Sequence, residues 1–296
     1  MINIDNWITG EKFVELADFV YYPKGAKDCN VLENTFCPCA MKERNIVYTH
    51  TLYVKQLFEE IKQIPVEFII ITHNCDENVD ESYEIPSNVI RWFAQNVNHT
   101  DYRIEAIPIG LENSKWFKNI QKKNKMKEKL STVKFYKNLA YLNLNVNTNP
   151  ELRLPVYKLL EDKPWVTTER KVNGEDFDSY IDNIYNHKYV ICPEGNGMDT
   201  HRFWETLYLD SIPVVKKNRN NVFFNSLPVC YVEEWEEVTE ERLKSDWNML
   251  EWNNNKEMLD FSFWKERILR ENRQEETGYD DWEKNEEDRL TDRINQ

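Results

Sequence analysis

Apolar runs of strand length recur along this chain, and the stretches between them are long enough for a helix rather than a tight turn. Residues 19–22, 46–48 and 67–72 (EFIIIT) read as strands, and residues 53–61 place Leu57, Phe58 and Ile61 on one helical face. Residues 104–109 form a further strand, ending in Pro-Ile-Gly, and a lysine-heavy stretch at 118–129 leads to the strand at 139–146 (LAYLNLNV). The rhythm then repeats, with helices at 149–160, 177–185 and 200–209 and strands at 165–168, 189–192 and 212–215. Strands separated by helical crossovers pair in parallel, so the fold class is α/β. Beyond Trp235 the pattern turns helical and charged, with helices expected at 240–248 and 256–273.

A chain of 296 residues is long enough for two modest α/β domains. The lysine-rich stretch is the expected junction, giving residues 1–135, 136–255 and a C-terminal helix and tail at 256–296. With 41% hydrophobic and 30% charged residues the composition is that of a globular protein. No apolar run approaches the roughly 18 residues that span a bilayer, and the first residues lack a signal-peptide pattern, so a cytoplasmic location is expected. A net charge of −14 argues against general affinity for nucleic acid, because phosphate neutralisation needs a basic face. Residues 275–292 carry nine acidic against two basic side chains and read as a solvated tail. The six cysteines read as free thiols, and Cys37-Pro38-Cys39 has one intervening residue where zinc knuckles use two to four.

The most informative stretch is residues 189–215, which contains CPEGNGMDTHRFWETLYLDSIPVV. Tyr189-Val190-Ile191-Cys192 is an interior strand whose carboxyl end delivers Pro193, Glu194, Gly195, Asn196 and Gly197 to the sheet rim, where ligands of open α/β sheets bind. Only seven glycines occur in the chain, and two of them flank one asparagine here. That predicts positive φ or a close approach. Asp199 or Thr200 caps the next helix and leaves its first amides facing the loop, a ready anion site. Arg202 lies in the first turn, where a cation opposes the helix dipole at a cost of about 0.3–1 kcal/mol. A bound phosphate reverses that sign. Glu205 follows one turn on. An arginine fork suits a diphosphate and a carboxylate suits ribose hydroxyls, but the same spacing also fits a plain Arg202–Glu205 pair on a helix surface.

Residues 189–215 resemble the signature of exostosin-like glycosyltransferases and their viral and bacterial relatives: a strand ending in Cys-Pro-x-Gly, an Arg and a Glu on the next helix, then G-x-IPV. Fucosyltransferases of the GT-B class carry a related arrangement. Asp210 stands where the usual glycine precedes Ser211-Ile212-Pro213-Val214. "THNCDENV", "RWFAQNV" and "IPIGLENSKWF" look like parts of the same kind of sugar transferase. The resemblance implies a GT-B enzyme, with two Rossmann-like domains facing a cleft and the donor held mainly by the second. Arg202 would clamp the diphosphate and Glu205 the ribose. Glu194 and the amides of Gly195, Asn196 and Gly197 would contact sugar or phosphates, with Asp199 and His201 beside them. Lys216 and Lys217, past the IPVV strand, would neutralise the leaving group.

Inversion at the sugar requires a base on the acceptor side. The rim after EFIIIT offers Asp76 first and His73 second, and Glu112 is a third choice. Asp176-Phe177-Asp178 matches a metal-binding Asp-x-Asp, but Phe177, Tyr180, Ile181 and Ile184 continue at helical spacing, so these aspartates open a helix and no metal is expected. No cofactor is expected beyond a nucleoside diphosphate sugar as donor, with a glycan or other hydroxyl as acceptor. A different class of function is a carbohydrate-binding or scaffolding protein without turnover, using Trp92, Phe93, Trp116 and Phe117 as a stacking surface.

Overall fold

The computed structural model describes residues 4–26, 32–115, 117–170, 177–251 and 256–273. Cys29, Trp116, Asp176 and the acidic stretch at 275–292 lie outside them.

In chain order the elements are α1 (Gly10–Val14), β1 (Phe19–Val20), β2 (Asn45–Thr49), α2 (Val54–Ile61), β3 (Phe68–Thr72), β4 (Val79–Asp80), β5 (Val89–Ala94), β6 (Val97–Asn98) and β7 (Ile104–Ala106). Then follow α3 (Phe117–Leu130), β8 (Asn138–Leu144), α4 (Pro150–Leu160), β9 (Val166–Arg170), α5 (Phe177–Asn186), β10 (His187–Ile191) and α6 (His201–Tyr208). The last are β11 (Ile212–Lys216), β12 (Cys230–Val232), α7 (Glu240–Glu251) and α8 (Phe261–Asn272).

These elements divide into two compact units, each with its own five-stranded parallel sheet. The first unit runs from Phe13 to Ile107 and takes in Asn218–Phe224 and the segment from Trp264. Its sheet has the order β1-β2-β3-β5-β7, so the chain steps across it in one direction without reversal. Every residue of β3 is fully buried, as expected for a strand covered on both faces. The α8 helix belongs to this unit: Arg267 pairs with Glu105 (2.7 Å), Arg91 with Glu271 (3.3 Å), and the Asn272 amide donates to the Arg44 carbonyl (2.9 Å).

The second unit comprises Pro108–Lys217 and Asn225–Phe263, with the N-terminal segment up to Lys12. Its sheet has the order β12-β11-β10-β8-β9. Counted along the chain, this is the 2-1-3-4-5 order of doubly wound folds. Direction reverses between β8 and β10, and in doubly wound folds ligands bind at the carboxyl ends of such a pair. Its core joins Ala140, Leu142, Val156, Leu160, Ile191 and Val214, among others.

The chain crosses between the units several times, so their limits differ from three contiguous ranges. The lysine-rich stretch is α3, and it packs on α5 inside the second unit. The residues from 264 are not a separate element, because α8 is ion-paired to the first sheet. No helix among the described residues is long and apolar enough to cross a membrane.

Candidate functional site

Two loops meet at the reversal point of the second sheet, Asn145–Asn149 after β8 and Cys192–Thr200 after β10. Asn149 caps α4 by accepting the Leu152 amide (3.3 Å), and Pro150 opens the helix. The same asparagine donates Nδ2 to the Gly195 carbonyl (2.8 Å), tying one loop to the other.

Arg153, in the first turn of α4, completes the junction. Its Nε donates to the Glu194 carbonyl (2.7 Å) and its Nη1 to the Asn145 carbonyl (3.1 Å). The side chain is only 7% exposed. Burial, and next the nearby charge of Arg202, lower its pKa to about 10. Two cations disfavour each other here, and no ion pair to either guanidinium occurs among the described residues. An anion between them would relieve that repulsion.

One of the two loop glycines is explained by this arginine. Neither Gly195 nor Gly197 adopts positive φ; among described glycines only Gly25 (87°) and Gly110 (65°) do. Of the two expected alternatives, positive φ is therefore corrected, and Gly195 shows a close approach, by a side chain of the protein itself. A Cβ on Gly195 would lie 3.1 Å from Arg153 Nη2, so the absent side chain makes room for the guanidinium. The left-handed residue is instead Asp210 (φ 57°), just past α6, where a glycine was the usual residue.

On α6, Arg202 is half-buried and its Nε is buried without a hydrogen-bond partner. Its guanidinium lies 5.7 Å from the Tyr180 ring centroid. Glu205 does not pair with it. The Glu205 carboxylate, 2% exposed, is ion-paired with Lys122 of α3 and accepts the Tyr180 hydroxyl (2.7 Å). Burial works to depress the Lys122 ammonium, yet Glu205 and then Glu112 hold it above the ordinary lysine range. A cation from the lysine-rich helix thus satisfies Glu205. Burial works to depress the Arg202 guanidinium, yet Tyr180, through charge and a hydrogen bond, and then Cys192 and Glu205 hold it above the ordinary arginine range. Beside this cluster at the end of β8, the buried Asn143 Oδ1 also lacks a partner.

The remaining expected donor residues divide clearly. Glu194 offers its backbone to Arg153, Asn196 is exposed, and Gly197 closes the turn by accepting the Gly195 amide (3.0 Å). Asp199 is turned inward, accepting the amides of Ile109 (2.8 Å) and Thr200 (2.8 Å) and the Trp204 indole (2.9 Å to each oxygen). Burial outweighs these donors and pushes its pKa up to about 7. Thr200 occupies the cap position of α6. His201 Nδ1 lies 2.7 Å from the Gly110 carbonyl and donates to it, which leaves Nε2 as the acceptor. Lys216 and Lys217 pair with Glu234 (2.7 Å) and Glu233 (3.7 Å). They stand at the end of β11, on the side of β10 away from the reversal point.

Of the three candidate bases, Glu112 is in the second unit, within electrostatic reach of Lys122. Asp76 and His73 belong to the first unit. Asp76 is exposed, whereas His73 is 1% exposed, stacked on Phe13 (5.1 Å), and accepts the Asn74 amide at Nδ1 (2.7 Å). Trp92 and Phe93 are fully buried in β5, which removes them from any stacking surface. Phe177 and Asp178 open α5, the helical alternative to a metal-binding pair.

Arg153 is the residue that sequence reasoning missed. Its signal was present: Arg153, Val156, Tyr157 and Leu160 fall on one helical face, and all four are buried. An arginine on an apolar stripe calls for a reason.

No protein-family profile matches the chain, and no curated protein is found as a relative. Among solved structures, the crystal structure of the GtfA/B complex overlays 79% of this chain at 10% sequence identity and a TM-score of 0.39. The overlay covers 59% of that neighbouring chain, so this protein spans less than two thirds of its length. So loose an overlay carries no argument about chemistry.

Proposed function

We propose that the reversal point of the second sheet binds the diphosphate of a nucleotide sugar, and that the protein is a glycosyltransferase of the GT-B class with exostosin-like affinity. The observation that carries the anion site is the pair of guanidiniums on separate helices, Arg153 and Arg202, with no carboxylate at ion-pair distance from either among the described residues. The sugar-transfer reading rests on the resemblance of residues 189–215 together with that site.

In this reading Arg202 contacts the phosphates through its fork and Arg153 fixes both loops while adding charge from below. The developing charge on the leaving nucleoside diphosphate is met by these cations and the amides at the start of α6, so no divalent ion is invoked. Glu205 acts by positioning: held by Lys122 and Tyr180, it forms no ion pair with Arg202, whose side chain has Tyr180 as a hydrogen-bond partner and its Nε without one. Asn143 Oδ1 offers an acceptor for a donor group on the nucleoside. Inversion would draw the acceptor proton onto Asp76 or Glu112, since His73 has one nitrogen occupied and almost no exposed surface.

The test is a panel of UDP-, GDP- and ADP-sugars, assayed for thermal stabilisation and for slow hydrolysis with and without a chelator. The reading requires at least one to raise the melting temperature and release its nucleoside diphosphate in the presence of chelator. Absence of both responses across the panel contradicts it.

A further inference from the structure

The diphosphate reading leaves Cys37-Pro38-Cys39 of the first unit unused. The segment is anchored along the sheet edge, where the Thr35 and Phe36 amides donate to the Val20 carbonyl (2.9 and 3.1 Å) and Phe36 packs edge-on against Tyr21 (5.4 Å). Pro38 then opens a single 3-10 turn over Pro38–Ala40, closed by the Ala40 amide on the Cys37 carbonyl (2.9 Å). In extended chain, side chains two residues apart point the same way but stand about 6.5–7 Å apart. The turn shortens that spacing and brings the two Sγ atoms to 2.9 Å.

Both sulfurs are reachable, because Cys37 is partly exposed and Cys39 fully exposed. Cys192 and Cys230, by contrast, are buried, and burial pushes their thiols up to about 12 and about 11.

We propose that Cys37 and Cys39 form a dithiol exchange site that reduces low-molecular-weight disulfides and closes to an internal disulfide. The Cys37 thiolate attacks one sulfur of the small disulfide and expels the other as a thiolate, which takes up a proton. Cys39 then loses its proton to solvent and attacks Cys37 Sγ in the mixed disulfide. The Cys37–Cys39 bond forms and the second small thiol leaves. Two protein thiols are oxidised and one small disulfide is reduced to two thiols.

Cys37 suits the attacking role. The Cys39 thiol, and then the amides of Cys39 and Ala40, hold it below the usual thiol range, while Cys39 is raised by its neighbour and keeps its proton. No cluster of three or more His, Cys, Asp or Glu side chains that could hold a metal ion is found among the described residues.

The experiment treats the full chain with glutathione disulfide near neutral pH, quenches in acid, and maps the peptide spanning residues 37–39 by mass. The expected product has lost two hydrogens and carries no glutathione. Cys37→Ser and Cys39→Ser should each stop with one glutathione attached to the remaining thiol. A peptide that stays fully reduced, that stops at the mixed disulfide with both cysteines present, or that joins to another cysteine overturns the proposal. Because the readout is thiol mass, failure here leaves the nucleotide-sugar reading untouched, and the reverse also holds.

Discussion

Replacing Arg202 by methionine separates a binding arginine from a structural one, because the two roles predict different losses of stability and of affinity. Methionine keeps an unbranched apolar stem over Tyr180 while deleting the charge. Three costs disappear with it: a buried Nε without a partner, worth about 1–3 kcal/mol, a cation in the first turn of α6, about 0.3–1 kcal/mol, and repulsion of Arg153. Offsetting them are the hydrogen bond and charge contact with Tyr180 and the electrostatic influence of Cys192 and Glu205, which hold the guanidinium above the ordinary arginine range against its burial. The expected net effect on the ligand-free protein is a change of no more than about 1 kcal/mol in either direction. In a chain of this size that moves the melting temperature by roughly 2–4 °C at most. Affinity for a nucleoside diphosphate falls. Loss of one charge-assisted hydrogen bond, about 1.5–3 kcal/mol, weakens binding by about 10- to 150-fold. Differential scanning calorimetry and titration calorimetry on the same preparation read both quantities. A variant destabilised by more than about 2 kcal/mol with unchanged affinity would refute the reasoning, since Arg202 would then belong to the core.

Gly195→Ala needs no change of backbone region, yet its Cβ meets Arg153 Nη2 at 3.1 Å. A small loss of stability, about 1 kcal/mol or less, should accompany a several-fold loss of nucleoside diphosphate affinity in the same titration. Glu205→Ala strands the Lys122 cation and should cost about 3–5 kcal/mol in urea denaturation, whereas combining it with Lys122→Met should recover much of that loss. For Asp199 the folded carboxyl titrates at about 7, above its unfolded value. Its contribution is therefore complete below about pH 3.9 and is lost as pH rises through about 7. Asp199→Asn should flatten that part of the stability–pH curve, and an unchanged slope between pH 5 and 8 would contradict the assignment.

Much of the architecture was readable because parallel strands buried on both faces are written as continuous apolar runs, as in EFIIIT and YVIC. β5 escaped that reading because Arg91 interrupts its run. The α3 helix looked like a linker since Met126 is a lone buried apolar residue amid lysines, and its role depends on a carboxylate, Glu205, distant in sequence. The strand–loop–helix frame was visible in residues 189–215, but its partners were not. A strand order cannot be read from one strand, and only the adjacency of β8 and β10 shows that α4 delivers Arg153 to the same loop. At Gly195 the constraint is a close approach by a neighbouring guanidinium rather than backbone handedness.

The most direct measurement is a crystal structure of the protein grown with a nucleoside diphosphate and without divalent metal. The account predicts a phosphate group within hydrogen-bonding distance of the Arg202 fork, beside the Gly195–Gly197 turn, with Arg153 still holding both loops. Phosphate density elsewhere, or an Arg202 turned onto Glu205 with the crevice empty, would contradict it.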